Sequence, residues 1–124
     1  MSITSHVDTA KELTTFTITG VLRFDEVMSV VKAFYDGDPT KNVMWHLLEN
    51  TEVQLTSEQV EVIARFSPRY EGTRASGKTA FVAQQDLLFG LSRMFEFKSS
   101  ARKAPYAIMV FRNIDEAYQW FDEP

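Results

Sequence analysis

Three short apolar runs, Val43–Leu48, Thr79–Ala83 and Ala107–Phe111, constrain the fold of this chain more than any other feature. Each is too short for a buried helix. A continuous apolar run of this length reads as a strand covered on both faces. Strands buried in this way are usually parallel, and parallel neighbours need a long crossover, most often a helix. The segments between the runs have helical period. The pattern predicts an α/β fold with a single mixed, mostly parallel sheet and about four helices.

The remaining elements fit around that frame. Ile3 to Val7 reads as a weak first strand, Thr9 to Lys11 as a turn, and Leu13 to Thr19 as a better strand ended by Gly20. Together they predict an opening hairpin. Phe24 to Tyr35 is a helix with Val27, Val30, Val31 and Phe34 on one side, stopped by Asp36-Gly37-Asp38-Pro39. Thr56 and Gln59 form a capping box for a helix to about Phe66 that buries Val60, Ile63 and Ala64, with Pro68 and Gly72 closing it. Asp86 to Phe97 is a strongly apolar helix. Asn113 caps a last helix carrying Ala117, Trp120 and Phe121.

At 124 residues this is one domain, spanning positions 1–124. The 17 acidic and 13 basic residues give a net charge of −4, which argues against a broad nucleic-acid surface. Cysteine is absent, so thiolate chemistry and disulfides are excluded, and a cytoplasmic location is expected. The start lacks a signal-peptide pattern, and no apolar run approaches the roughly 20 residues of a membrane span. No histidine or carboxylate spacing supports a metal site, and no cofactor is expected.

Gly72-Thr73-Arg74-Ala75-Ser76-Gly77-Lys78-Thr79 matches the phosphate-loop pattern G-x-x-x-x-G-K-[ST] in full. Its setting is reversed. A phosphate loop follows a strand and opens a helix, so that the helix N-terminus faces the anion. Here a helix precedes the motif and a strand follows it. The motif is therefore read as a helix-to-strand connection, and nucleotide hydrolysis is not expected.

Other residues carry chemistry less specifically. His46 sits within a buried strand and is expected to be a satisfied, half-buried histidine. It would meet His6 only if their strands paired. Glu49 and Glu52 follow that strand, where ligands of α/β sheets bind. His46 with Glu49 is the best available acid–base pair, and no convincing catalytic set assembles. Arg65, Arg69, Arg74 and Lys78 cluster around one connection, and Lys98, Arg102 and Lys103 around another. Such groups could bind an anion or an acidic lipid head group, but interspersed Glu58, Glu61 and Glu71 favour solvated faces for the first group. Thr56 and Ser57 open a helix, where a phosphate would be favoured, which makes them candidate phospho-acceptors beside their capping role.

On the Asp86–Phe97 helix, Leu87, Leu88, Leu91, Met94 and Phe95 form one stripe sufficient for the core. Phe89 and Phe97 fall outside it, flanking Arg93. These three residues form a candidate interaction surface or ligand contact. The alternative is that the two rings lie under the loop from Ser99 to Pro105.

The C-terminal half resembles a known family. Lys78-Thr79-Ala80-Phe81-Val82-Ala83, Phe89-Gly90-Leu91-Ser92-Arg93-Met94-Phe95 and the closing stretch from Val110 to Phe121 are similar to the SpoIIAA-like proteins, small domains related to STAS anti-sigma-factor antagonists. The resemblance implies a SpoIIAA/STAS-like sheet and a non-enzymatic interaction or regulatory module, self-associating as a homodimer or binding a partner protein. The Asp-Ser-Ser-Gly-like turn of phosphorylatable antagonists is missing from Glu49 to Ser57. Related domains are grouped with CRAL-TRIO lipid-transfer proteins, which implies as alternative a carrier of an apolar small molecule or lipid. The 10 Phe, 4 Tyr and 2 Trp suit an apolar pocket. Arg93 or the Lys98–Lys103 group would then meet an acidic head group.

Overall fold

The computed structural model describes residues 3–66, 74, 76–101 and 106–123. In chain order the elements are β1 (Ile3–Asp8), β2 (Leu13–Ile18), β3 (Val21–Arg23), α1 (Phe24–Asp36), β4 (Asn42–Leu47), β5 (Glu52–Gln54), α2 (Ser57–Phe66), β6 (Lys78–Ala83), α3 (Asp86–Ala101), β7 (Ala107–Phe111) and α4 (Ile114–Asp122). Five strands form one sheet in the order β1-β2-β4-β6-β7. β1 runs antiparallel to β2, and every later neighbour is parallel. The expected mixed, mostly parallel sheet with four helices is what forms.

The apolar run Val43–Leu48 supplies β4, in the middle of the sheet, which is why its residues are apolar on both faces. Val43 and Leu47 join the core shared with α1, α2 and α3, through Val27, Val31, Ile63 and Leu88. Met44, one residue out of step, joins Leu13, Ala80, Val82 and Ala117 in a second core under α4. Three helices thus lie on one face and α4 on the other. Ile18, Met44 and Leu88 are almost completely buried, and each such side chain contributes roughly 1.5–3 kcal/mol through burial.

Two strands have no counterpart in the sequence reading. β3 and β5 form a separate parallel pair, held by the register Val21↔Glu52 to Arg23↔Gln54 and a 2.7 Å bond from Arg23 Nη1 to Gln54 Oε1. Gly20, at φ 76°, makes the bend from β2 into β3 that a side chain would strain. Thr51 is buried and donates to the Ile18 carbonyl at 2.8 Å, anchoring the entry to β5. Each strand is only three residues long and mixed in polarity, so neither shows a period.

The capping box at α2 forms as expected. Gln59 N–H donates to Thr56 Oγ1 at 3.1 Å, and Thr56 N–H donates to Gln59 Oε1 at 2.9 Å. Asn113 caps α4 by accepting from the Asp115 N–H at 2.7 Å. α3 runs four residues past the expected Phe97, so Ser99 belongs to the helix and not to a loop. Pro68 and Gly72 lie outside the described residues.

Candidate functional site

α1, α2 and α3 do not close completely on the sheet. A cavity of about 100 Å³ remains between them. Its floor is a file of rings across the sheet and helices: Phe34 to Phe16 at 5.8 Å between centroids, Phe16 to Trp45 at 4.5 Å, Trp45 to Phe81 at 6.5 Å and Phe81 to Phe95 at 5.1 Å. All five rings line the cavity. The aromatic excess of the sequence is therefore concentrated around an empty space, because the parallel register sets Phe16, Trp45 and Phe81 side by side on one face of β2, β4 and β6.

Polar groups are few in this wall, and Arg74, Thr79, Ser92 and Tyr106 among them are buried. Arg74 is only 3% exposed. Its Nε donates to the Lys41 carbonyl at 3.0 Å, and its Nη2 donates to the Lys78 carbonyl at 3.1 Å and to Thr79 Oγ1 at 2.6 Å. Its Nη1 donates to the Tyr35 hydroxyl at 3.2 Å, and the guanidinium lies 4.0 Å from the centroid of the Tyr106 ring. Tyr35, Thr79 and Tyr106 line the same cavity. Among the described residues no carboxylate pairs with Arg74. This corrects the expectation of a solvated basic face. Ser92 also lines the cavity, is 4% exposed, and makes no side-chain hydrogen bond among the described residues.

The phosphate-loop residues have other roles. Lys78 opens β6, and its ammonium donates to the carbonyls of Trp120 and Glu123, each at 2.6 Å. It thus serves the C-terminal end of α4, where the helix dipole favours a cation. Thr79 accepts from Arg74, and a side chain at Gly77 would run into the Lys41 carbonyl. Gly72, Thr73 and Ala75 lie outside the described residues. The helix-then-strand order is the reverse of what an anion cradle needs.

The candidate surface on α3 is split. Phe89 packs against the core and lies beneath the Arg112 guanidinium, 4.2 Å from its ring centroid. Phe97 is 76% exposed. Arg93 is exposed and pairs with Glu96 at 3.3 Å. None of the three lines the cavity. Leu87, assigned to the core stripe, is 72% exposed instead. The helix is turned so that Leu88, Ser92 and Phe95 face inward, a rotation hidden by counting Ser92 as polar. Lys98 pairs with Glu61 at 3.2 Å across α2 and α3, while Arg69, Arg102 and Lys103 lie outside the described residues.

A second, more polar cavity of about 240 Å³ lies beyond the carboxyl ends of β4, β6 and β7. His46, Glu49, Arg112, Asn113 and Asp115 line it. Burial pulls the His46 imidazole below its ordinary pKa. Its strand neighbours are β2 and β6, so His6 on β1 is a strand removed and the two histidines do not meet. Glu52 is exposed in β5 and lines neither cavity. Thr56 and Ser57 are exposed at the start of α2, with the Thr56 hydroxyl engaged in its cap. No cluster of three or more metal-ligating side chains occurs among the described residues, and no described helix is long and apolar enough to cross a membrane.

Sequence reasoning names Arg74 only within a basic cluster expected to be solvated, and assigns Ser92 no role. A single arginine inside a motif and a serine within an apolar helix carry no pattern that distinguishes buried from exposed. Comparison with known proteins finds no matching family model, no similar curated protein and no similar solved structure.

Proposed function

We propose that this chain is a non-enzymatic binding module for a compact apolar molecule held between the sheet and α1, α2 and α3, acting in the cytoplasm. The observation that carries the reading is the ring-lined cavity. An apolar cavity of about 150 Å³ in another protein takes up benzene. The smaller space here suits one ring or a short branched chain. The sequential sheet with helices on both faces supports a SpoIIAA/STAS-like domain of the kind the C-terminal half resembles. Native mass spectrometry of protein purified without detergent, paired with a thermal scan in toluene, tests the proposal. A co-purifying small molecule or a toluene-dependent rise in Tm is expected. Neither adduct nor shift overturns it.

A second reading, self-association into a homodimer, is favoured by the outer side of α3. Leu87, Gly90, Met94 and Phe97 fall within an arc of about 80° at helical period. Among the described residues, Leu87 and Phe97 are the two most exposed large apolar ones, and a Cβ added at Gly90 would meet open space. A second copy packed along this side would cover both. Scattering-detected size exclusion decides: a monomer at all concentrations, unchanged by Phe97→Glu, removes this reading.

A further inference from the structure

We infer that the cavity selects a compact apolar monoanion, a ring or short chain ending in one carboxylate, with Arg74 as its charge partner. The inference rests on the binding reading above and adds the chemical class of the ligand. Its basis is a charge imbalance. Arg74 brings one full positive charge into a wall that is otherwise apolar or neutral, at 3% exposure. Its four hydrogen-bond acceptors are two carbonyls and two hydroxyls, and none is a carboxylate. A buried charge is costly unless it is paired. Neutral acceptors orient the guanidinium, and among the described residues no carboxylate compensates its charge.

The donor count agrees. A guanidinium has five N–H groups, and four hydrogen bonds are made among the described residues. Among the described residues, one N–H on Nη1 has no acceptor and is left for a ligand. Ser92 is the independent observation. Its hydroxyl lines the same cavity at 4% exposure with no partner among the described residues, so the wall holds a second polar group that a ligand atom would satisfy.

The ligand's charge is bounded by what else the wall lacks. Lys78 is committed to the end of α4 and Lys98 to Glu61, and neither lines the cavity. A phosphate dianion would bring a second negative charge with no cation to meet it. A carboxylate brings one, in a planar shape that an arginine fork matches. The four existing bonds hold the guanidinium in place before binding, which lowers the ordering cost.

The test is calorimetric titration of the intact protein with benzoate, benzyl alcohol, phenyl phosphate and toluene. Benzoate is expected to bind about tenfold or more tighter than benzyl alcohol and phenyl phosphate, as a charge-assisted hydrogen bond implies. Arg74→Gln keeps N–H donors without the charge, and should lower benzoate to the level of the alcohol. If that variant does not fold, the ranking on the unaltered protein decides alone. Alcohol or toluene binding as tightly as benzoate overturns the carboxylate inference and spares the apolar-ligand reading. Phenyl phosphate binding tightest also overturns the inference. Binding of none of the probes overturns both.

Discussion

Arg74 donates to the hydroxyl of Thr79 at 2.6 Å, and both side chains are 3% exposed. This contact ties the residue before the Ser76–Gly77 turn to the start of β6. The same guanidinium reaches the Lys41 carbonyl ahead of β4, so one side chain secures the entry of two neighbouring strands. Removing it should leave several buried acceptors unsatisfied together. Arg74→Met is expected to cost about 3 kcal/mol or more in urea unfolding, and Thr79→Val about 1 kcal/mol, since Nη2 keeps its bond to the Lys78 carbonyl. Equal effects from the two variants would show that the guanidinium is not the hub.

Lys78 is expected to matter for α4 and not for nucleotides. Lys78→Met should lose about 1 kcal/mol, from two carbonyls at a helix end and a cation 5.3 Å from the Trp120 centroid. Calorimetry with ATP and magnesium should show no Lys78-dependent binding. Tight binding abolished by the substitution would restore the phosphate-loop interpretation.

The two phenylalanines of α3 should behave oppositely. Phe89→Ala removes a ring packed on the core and under Arg112, and about 2 kcal/mol of stability is expected to go with it. Phe97→Glu changes an exposed ring and should stay within about 0.5 kcal/mol of the unaltered protein. Denaturant midpoints for both variants provide the check. A large loss from Phe97→Glu, in protein shown to be monomeric, would mean that the ring is packed within its own chain.

His46 gives a pH dependence whose sign follows from burial. Its folded pKa lies below the ordinary 6.5, so the unfolded chain binds the proton more readily. The contribution is fully present above 6.5 and is lost as the pH falls through that value towards the lowered folded pKa. The unaltered protein should therefore lose more stability than His46→Gln between about pH 7.5 and pH 5.5, measured by urea midpoints. The opposite ordering would mean that a partner stabilises the imidazolium.

How much of this was legible depends on length and period. Three five- or six-residue apolar runs carried the sheet, because burial on both faces leaves one reading for them. Two caps, at Thr56 and Asn113, placed the starts of α2 and α4. β3 and β5 were invisible because three residues cannot show alternation. The α3 wheel was misjudged for a physical reason: Leu87 reads as core and stands in solvent, while Ser92 reads as surface and lies inside. The cavity was foreshadowed by the phenylalanine count alone. Its charged group was not, since Arg74 is brought to the wall by contacts with Lys41 and Tyr35, more than thirty positions away.

The strand order carries a consequence for assembly. Along β1-β2-β4-β6-β7, each strand is laid beside one already in place, with no strand waiting for a later one to separate it from its neighbour. Such a chain can build its sheet from one edge as it leaves the ribosome, with short search distances at each addition. The ring-lined space follows a different schedule. Its wall draws on residues from Phe16 to Tyr106, so it is complete only when α3 and the approach to β7 have docked. The sheet can therefore begin to form early in synthesis, whereas a binding-competent pocket has to wait until most of the chain has been made.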